Sequence, residues 1–310
     1  MLDRFEVHYF LELNSHSLDA IVQNRCEAEF LAVAYEIAEM LGIDVTLKAE
    51  ALKEGGLKEV WEIVGENSNQ ITLLLLILTA VFTYMAIPDS DLTELQKENL
   101  KLQNQQLRYE IQKNNLNESD VIYPIKLANE NPKVITRRSN FYKTLNNNQE
   151  VKKVGFSKFN KNNEKDKSEM IIKRPSFINF IQRSNKLPVE IDENAVIEIV
   201  APVLREGGSK WKGIYLDEPI GFVISDIVYK TSVLNKEISF TSGNSIKCVL
   251  EIHKELNEVG EEIVKKYNVQ TVLETIKSGS SQETPSGKRY KKVKAINGVQ
   301  NDFFAQLDEE

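Results

Sequence analysis

Cysteine occurs only twice in these 310 residues, at Cys26 and Cys248, more than two hundred positions apart. That separation excludes a disulfide framework and leaves two reduced, buried thiols as the expectation. Histidine is nearly as scarce. His8, His16 and His253, taken with the cysteines, reach neither the ligand number nor the spacing of a zinc site, so no metal centre and no cofactor are expected. With 14 glycines and 8 prolines the chain is neither collagenous nor low in complexity. Its glycine pairs, Gly55-Gly56 and Gly207-Gly208, read as turns. The sequence contains no phosphate-binding glycine loop, dinucleotide fingerprint, nucleophile elbow, HExxH helix or acidic calcium loop. His8 reads as a strand side chain, and His16 and Asp19 as the start of a helix, so no catalytic residue is assigned and an enzyme is not expected. The opening residues, MLDRFEV, lack the apolar core of a secretory signal and the character of a transit peptide.

Charge and hydrophobicity are present but unevenly placed. The net charge of −7 and 41% hydrophobic content describe an ordinary acidic protein. By segment, Lys+Arg against Asp+Glu runs 5 to 14 over residues 1–70, 4 to 7 over 71–125, 15 to 5 over 126–186 and 15 to 20 over 187–310. A basic band thus sits inside an acidic chain, either as a solvated surface or as a contact for polyanions such as anionic lipid or nucleic acid.

Residues 71–87, ITLLLLILTAVFTYMAI, run seventeen positions without a charge, glycine or proline. As a helix this stretch spans ~25 Å, the short end of what a bilayer core of about 30 Å requires. A helix buried in a soluble core is the alternative reading. Such a helix usually keeps a polar face, and the flanking segments look too small to wrap one on all sides, so a transmembrane helix is expected. Ser68, Thr72, Thr79 and Thr83 fall on one side of it at offsets of 4, 7 and 4, and they are the candidate pore-lining residues if several copies surround an axis. Hydroxyls bonded back to the preceding turn are the plain alternative.

Around this span the periodicities predict a small N-terminal α/β unit. It comprises a strand at Phe5–Leu13, a helix from Leu18 to Leu41 with Ile21, Ala28, Leu31, Tyr35, Ala38 and Leu41 as its apolar stripe, and a strand at Ile43–Leu47. A further helix is expected to begin at Leu57–Val64. After Pro88, residues 92–116 carry a heptad frame with Leu95, Leu102, Tyr109 and Leu116 at d and Asn99 at an a position. Leu95, Asn99, Leu102 and Tyr109 are therefore the candidate oligomerisation residues of a coiled coil. Strands are expected at Val121–Leu127, Val151–Phe159 and Met170–Lys173, with a short helix from Pro175. The last block reads as a β-rich domain with strands at Ala195–Pro202, Lys210–Tyr215, Ile220–Ile224, Glu237–Thr241, Ser245–His253 and Ile263–Ile276, followed by a linker at Ser278–Gly287 and a basic cluster. Trp211, Tyr215, Phe222, Tyr229 and Phe240 could form a stacking platform, but core positions are favoured. Lys210, Lys212, Lys230, Lys288 and Arg289 remain as accessible ligand-binding candidates.

The stretch HYFLELNSHSLDAIVQNRCEAEFLAVAYEIAEMLG, the turn EGGLKEVWEIVG, the apolar span and the helix LTELQKENLKLQNQQLRYEI together resemble the channel-type membrane effectors of nucleotide-signalling anti-phage defence systems such as Hailong. The resemblance implies a homo-oligomeric pore in the bacterial inner membrane, single-pass with its C-terminal part cytoplasmic. It would open when a nucleotide or oligonucleotide made by a partner enzyme binds the soluble region. Its partners would then be itself, the lipid bilayer and that signal; a membrane-tethered scaffold without conduction is the rival.

The expectation is an α+β multidomain membrane protein: a small N-terminal α/β domain over 1–66, a transmembrane helix over 67–88, a juxtamembrane helix and candidate coiled coil over 89–116, a basic mixed region over 117–190, a β-rich soluble domain over 191–277, and a linker and charged tail over 278–310.

Overall fold

A computed structural model of the protein describes residues 3–12, 17–49, 57–84, 105, 108–109, 111–112, 116–159, 169–205, 209–241, 243–277 and 279–307. The chain forms two compact units, one of residues 1–184 with 256–261 and one of residues 185–255 with 262–310.

In the first unit, β1 (Asp3–Leu11), β2 (Val45–Ala49), β3 (Leu57–Gly65), β4 (Val151–Phe159) and β5 (Met170–Lys173) make a sheet in the order β2-β3-β1-β4-β5. Every neighbouring pair is antiparallel. The period of two on β1 sends Phe5, Val7 and Tyr9 into the core and leaves Glu6, His8 and Phe10 on the other face. Helices α1 (Ala20–Met40), α2 (Ser68–Thr83), α3 (Glu118–Glu130) and α4 (Pro132–Asn147) supply the rest of that core, followed by a 3-10 turn at Arg174–Phe180. Asp19 caps α1 by accepting from the Ile21 and Val22 amides, and Gly42, at φ +63°, stops it. The buried stripe of α1 is Cys26, Phe30, Val33, Ala34, Ile37 and Ala38, whereas Ile21 and Tyr35 are exposed. The expected stripe was thus rotated, because the helix turns toward the sheet the face that carries Phe30.

Helix α2 overturns the membrane reading. It has 16 residues, and among the described residues no helix is long and apolar enough to cross a membrane. Leu74, Ile77, Leu78, Val81 and Phe82 are fully buried in a core shared with α1, α4 and the sheet. The expected α+β membrane architecture, its transmembrane helix and the ion-channel reading are therefore corrected to a core helix enclosed by protein. Its last turn explains how it ends there. Arg138 Nη1 on α4 donates to the Val81 carbonyl at 2.9 Å, and the Tyr142 hydroxyl donates to the Phe82 carbonyl. Side chains of another helix thereby satisfy carbonyls that a helix end leaves open.

Charge segregation in the sequence resolves in the same unit. Glu29 pairs with Arg137 at 3.2 Å, Glu36 with Lys133 at 3.4 Å and Glu12 with Lys152 at 3.0 Å. The basic band folds against the acidic head, so at these positions its cations serve internal pairing. Two local readings also fail. Leu57–Val64 is strand β3, and Val121–Leu127 lies in α3 despite Pro124.

The second unit contains β6 (Glu190–Ala201), β7 (Trp211–Tyr215), β8 (Glu218–Ile224), α5 (Ile227–Leu234), β9 (Ser245–Leu256), β10 (Glu262–Lys277), β11 (Ser280–Glu283) and α6 (Pro285–Leu307). The sheet order is β11-β10-β8-β7-β6-β9, and an additional β9–β10 pairing closes a five-stranded barrel. Long β6 pairs with β9 along one stretch and β7 along another, with register shifts that let it bend. Ile197, Trp211, Phe222, Cys248, Leu250, Val269 and Val272 fill the interior. Asp226 joins three elements by accepting from the Tyr229 amide, the Val272 amide and the Ser286 hydroxyl at 3.0, 3.0 and 2.8 Å. The expected strand at 237–241 is irregular, and the expected linker holds β11 and the start of α6.

Candidate functional site

The barrel offers the clearest candidate surface. Its cyclic order β6-β7-β8-β10-β9, the parallel β8–β10 pairing and the helix between β8 and β9 are the arrangement of an OB barrel. In that fold the face of the second and third strands and the adjoining loops hold oligonucleotides or oligosaccharides. Here those strands are β7 and β8.

Alternation on β7 sends Trp211 and Tyr215 inward and Lys212 outward, while on β8 Ile220, Phe222 and Ile224 point inward and Gly221 is exposed. Lys212 stands opposite Gly221 in register. The stem of Lys210 passes over the same glycine, its Cδ 3.6 Å from where a Cβ would stand. The two lysines therefore stand beside a backbone position, Gly221, that carries no side chain. Beside it, Ala201 of β6 pairs with Lys212, and the following loop forms a shallow hollow lined by Pro202, Val203, Leu204, Arg205 and Ser209. Lys210, Lys212 and Arg205 have no carboxylate partner among the described residues. Elsewhere on the unit Lys254, Lys291 and Lys294 are engaged by glutamates.

Lys210 and Lys212 are thus brought together. Lys230 lies on α5, and Lys288 and Arg289 are exposed in the first turns of α6. Those two helices are tied at Asp226, and these three cations lie on them and not on β7 or β8. Arg205 was not singled out by sequence; its position between a strand end and a glycine pair is the only signal that marks it. Trp211, Tyr215, Phe222 and Tyr229 are buried, and half-buried Phe240 packs edge-on against Trp211, so no stacking platform exists there.

The threonine stripe of α2 takes its plainer role. Thr72, Thr79 and Thr83 donate to the carbonyls of Ser68, Leu75 and Thr79 at 2.9, 2.7 and 2.7 Å, and Thr79 and Thr83 are buried. Ser68 opens the helix. Of the coiled-coil candidates, Leu95, Asn99 and Leu102 lie outside the described residues, and Tyr109 is exposed.

One constellation escapes sequence reading altogether. Glu6, His8 and Glu169 converge on the sheet face of the first unit that points away from the helices. Burial, opposed by the Glu169 charge, holds the His8 imidazole below its ordinary proton affinity. No family model, curated protein or solved structure matches this chain.

Proposed function

We propose that the second unit is a binding module for single-stranded nucleic acid, which it grips by the phosphate backbone on the β7–β8 face. The observation that carries this reading is the pair Lys210 and Lys212 beside the bare Gly221 position of a barrel with OB order. Oligosaccharide, the other ligand class of such barrels, is disfavoured: the aromatic side chains of these two strands point inward, and beside the outward Ile214, Pro219 and Val223 the charge on this face comes from Lys212 and the preceding Lys210. A short nucleotide signal, which the resemblance implied, presents the same phosphate chemistry. The module is read as a binder without a membrane or a pore.

Lacking exposed rings, the face gains little from base stacking, so sequence preference is expected to be small. With three cations engaged, the affinity for a labelled oligothymidylate of about twelve nucleotides should fall roughly 20-fold between about 50 and about 200 mM salt. In fluorescence anisotropy, replacing both Lys210 and Lys212 by glutamate should weaken binding at least about tenfold, since two phosphate contacts become repulsive. Lys230→Glu should matter less. No binding at all, or equal affinity for the double variant, would sink the proposal.

A further inference from the structure

The register of the first sheet places four polar side chains side by side. Glu6 stands opposite Ser157, and His8 stands opposite Gly155, across β1 and β4. Phe156 pairs with Met170, so Glu169 enters β5 beside Ser157. One ligand atom each from Glu6, His8 and Glu169 lies within 4.8 Å of the others, and His8 Nδ1 is 3.3 Å from Glu169 Oε1. Imidazole with two carboxylates is a donor set suited to divalent transition ions.

Two independent features show that this arrangement is built. The first is Gly155, where a Cβ would stand 2.3 Å from Glu169 Oε1 and 2.9 Å from its Cδ. Its φ is not positive, so the backbone does not demand glycine there. With glycine there, the Glu169 carboxylate can lie across that position beside His8, and a Cβ would displace this flexible side chain from it. The second is Ser157, 2% exposed, whose Oγ has no hydrogen-bond partner among the described residues. As the cross-strand neighbour of Glu6 it points from the same face into the cluster. A buried hydroxyl without a partner is unfavourable, and such groups are satisfied by water or an ion where protein atoms do not serve.

Lys58 argues for a simpler account, because its Nζ lies 3.6 Å from Glu6 Oε2. That ion pair explains the position of Glu6. It explains neither the glycine beneath Glu169 nor the orphaned serine. At 32% exposure the Lys58 side chain has a route to solvent when another cation takes its place.

We propose that Glu6, His8 and Glu169 bind a divalent transition-metal ion, with the Ser157 hydroxyl on the side of the remaining coordination position. Glu6 and His8 come from one strand at i, i+2, the spacing that puts both on one face, and Glu169 closes the site from across the sheet. This site is independent of the nucleic-acid reading of the barrel, which lies in the other unit.

The test uses the full chain, stripped with a chelator and titrated by calorimetry with Zn2+, Mn2+ and Mg2+ in separate runs. Zn2+ is expected to bind at one site per chain, more tightly than Mn2+, with Mg2+ weakest because imidazole suits it poorly. His8→Ala and Glu169→Gln, both at part-exposed positions, should each lower Zn2+ affinity at least about tenfold, no less than loss of a supporting ligand contact does. Gly155→Ala keeps every donor but displaces Glu169, so it should also weaken binding. Ser157→Ala removes only the orphan hydroxyl; it should leave unfolding of the metal-free protein unchanged or raise its midpoint, while reducing the upward shift that Zn2+ produces. Zn2+ binding that persists unchanged in a His8→Ala/Glu169→Gln double variant, or no binding to the wild type, would overturn the proposal.

Discussion

Phe82→Ala is expected to destabilise the first unit by about 4 kcal/mol, within the range for truncating a fully buried phenylalanine. The ring is completely enclosed, with the rings of Phe30, Phe141 and Phe156 at centroid distances of 5.2, 5.1 and 5.4 Å and Tyr142 at 6.3 Å. Each such aromatic pair adds about 0.5–1.5 kcal/mol beyond area burial, so the loss falls above the lower end of the truncation range. Relaxation is restricted on both sides. The Tyr142 hydroxyl and Arg138 guanidinium hold the α2 carbonyls beside the ring, and Phe30 is stacked on Trp61 at 4.7 Å. Against a total stability of about 5–15 kcal/mol this is a large fraction. Urea unfolding followed by Trp61 fluorescence, in a Trp211→Phe background, would measure it. A change below about 1 kcal/mol would show that the ring is not enclosed by protein.

Glu59→Gln is expected to do the opposite, and only at higher pH. Glu59 is a core-facing carboxyl on β3, with Oε2 accepting from the Tyr9 hydroxyl at 2.9 Å and Oε1 without a partner among the described residues. Burial pushes its pKa from 4.5 to about 7, with the Glu27 charge adding to the rise and hydrogen bonds from Tyr9 and Gln23 opposing it. The folded state therefore holds a proton that the unfolded chain has already released. Stability from this residue is complete below pH 4.5 and is lost as pH rises through about 7. A rise of that size corresponds to about 3 kcal/mol once Glu59 is ionised. The glutamine variant should match wild type near pH 4.5 and exceed it by about 3 kcal/mol near pH 8. Measuring the stability difference across that interval isolates Glu59 from other titrations. A difference that does not grow with pH would mean that the carboxylate is hydrated in the fold.

Arg138 shows how the unit tolerates a buried cation beside this apolar helix. Its pKa is lowered to about 10 by burial, so it remains charged near neutrality. Carbonyl oxygens take the place of a carboxylate: Val81 O at 2.9 Å and Asn129 Oδ1 at 2.5 Å, with the Phe180 ring 5.8 Å from the guanidinium carbon. The second of two adjacent arginines in a lysine-rich stretch gives no sign in the sequence that it will cap a helix 57 positions earlier.

Strands β1, β4, β5 and the barrel strands β7 and β8 were legible because their alternation is local. The extent of α1, expected from Leu18 to Leu41 and found at Ala20–Met40, was legible for the same reason, although its cap is Asp19 and not a residue before Leu18. Leu57–Val64 misled because a strand buried on one side and part-buried on the other weakens the period-two signal, and three glutamates and lysines in it suit a helix equally well. Residues 121–127 misled because their β-branched and aromatic side chains favour strands, although Val121 and Ala128 pack a helix into the core. On the candidate surface, Lys210 and Lys212 were named from composition alone, whereas the bare glycine beneath them required the register of β7 against β8. The Glu6, His8 and Glu169 cluster could not be found by spacing, since its members are joined by a sheet across 161 residues.

By itself the sequence determined the scarcity of cysteine and histidine, the local periodicities, the charge-free run at 71–87 and the split between an acidic head and a basic band. Those are properties of neighbours along the chain. Tertiary structure alone decided what surrounds the run, which glutamates neutralise the band, and which distant donors meet on the second face of the first sheet. An apolar helix is equally at ease in lipid or in protein, because both remove it from water. Only the partners folded around it, Phe30, Arg138, Phe141 and Tyr142, distinguish the two.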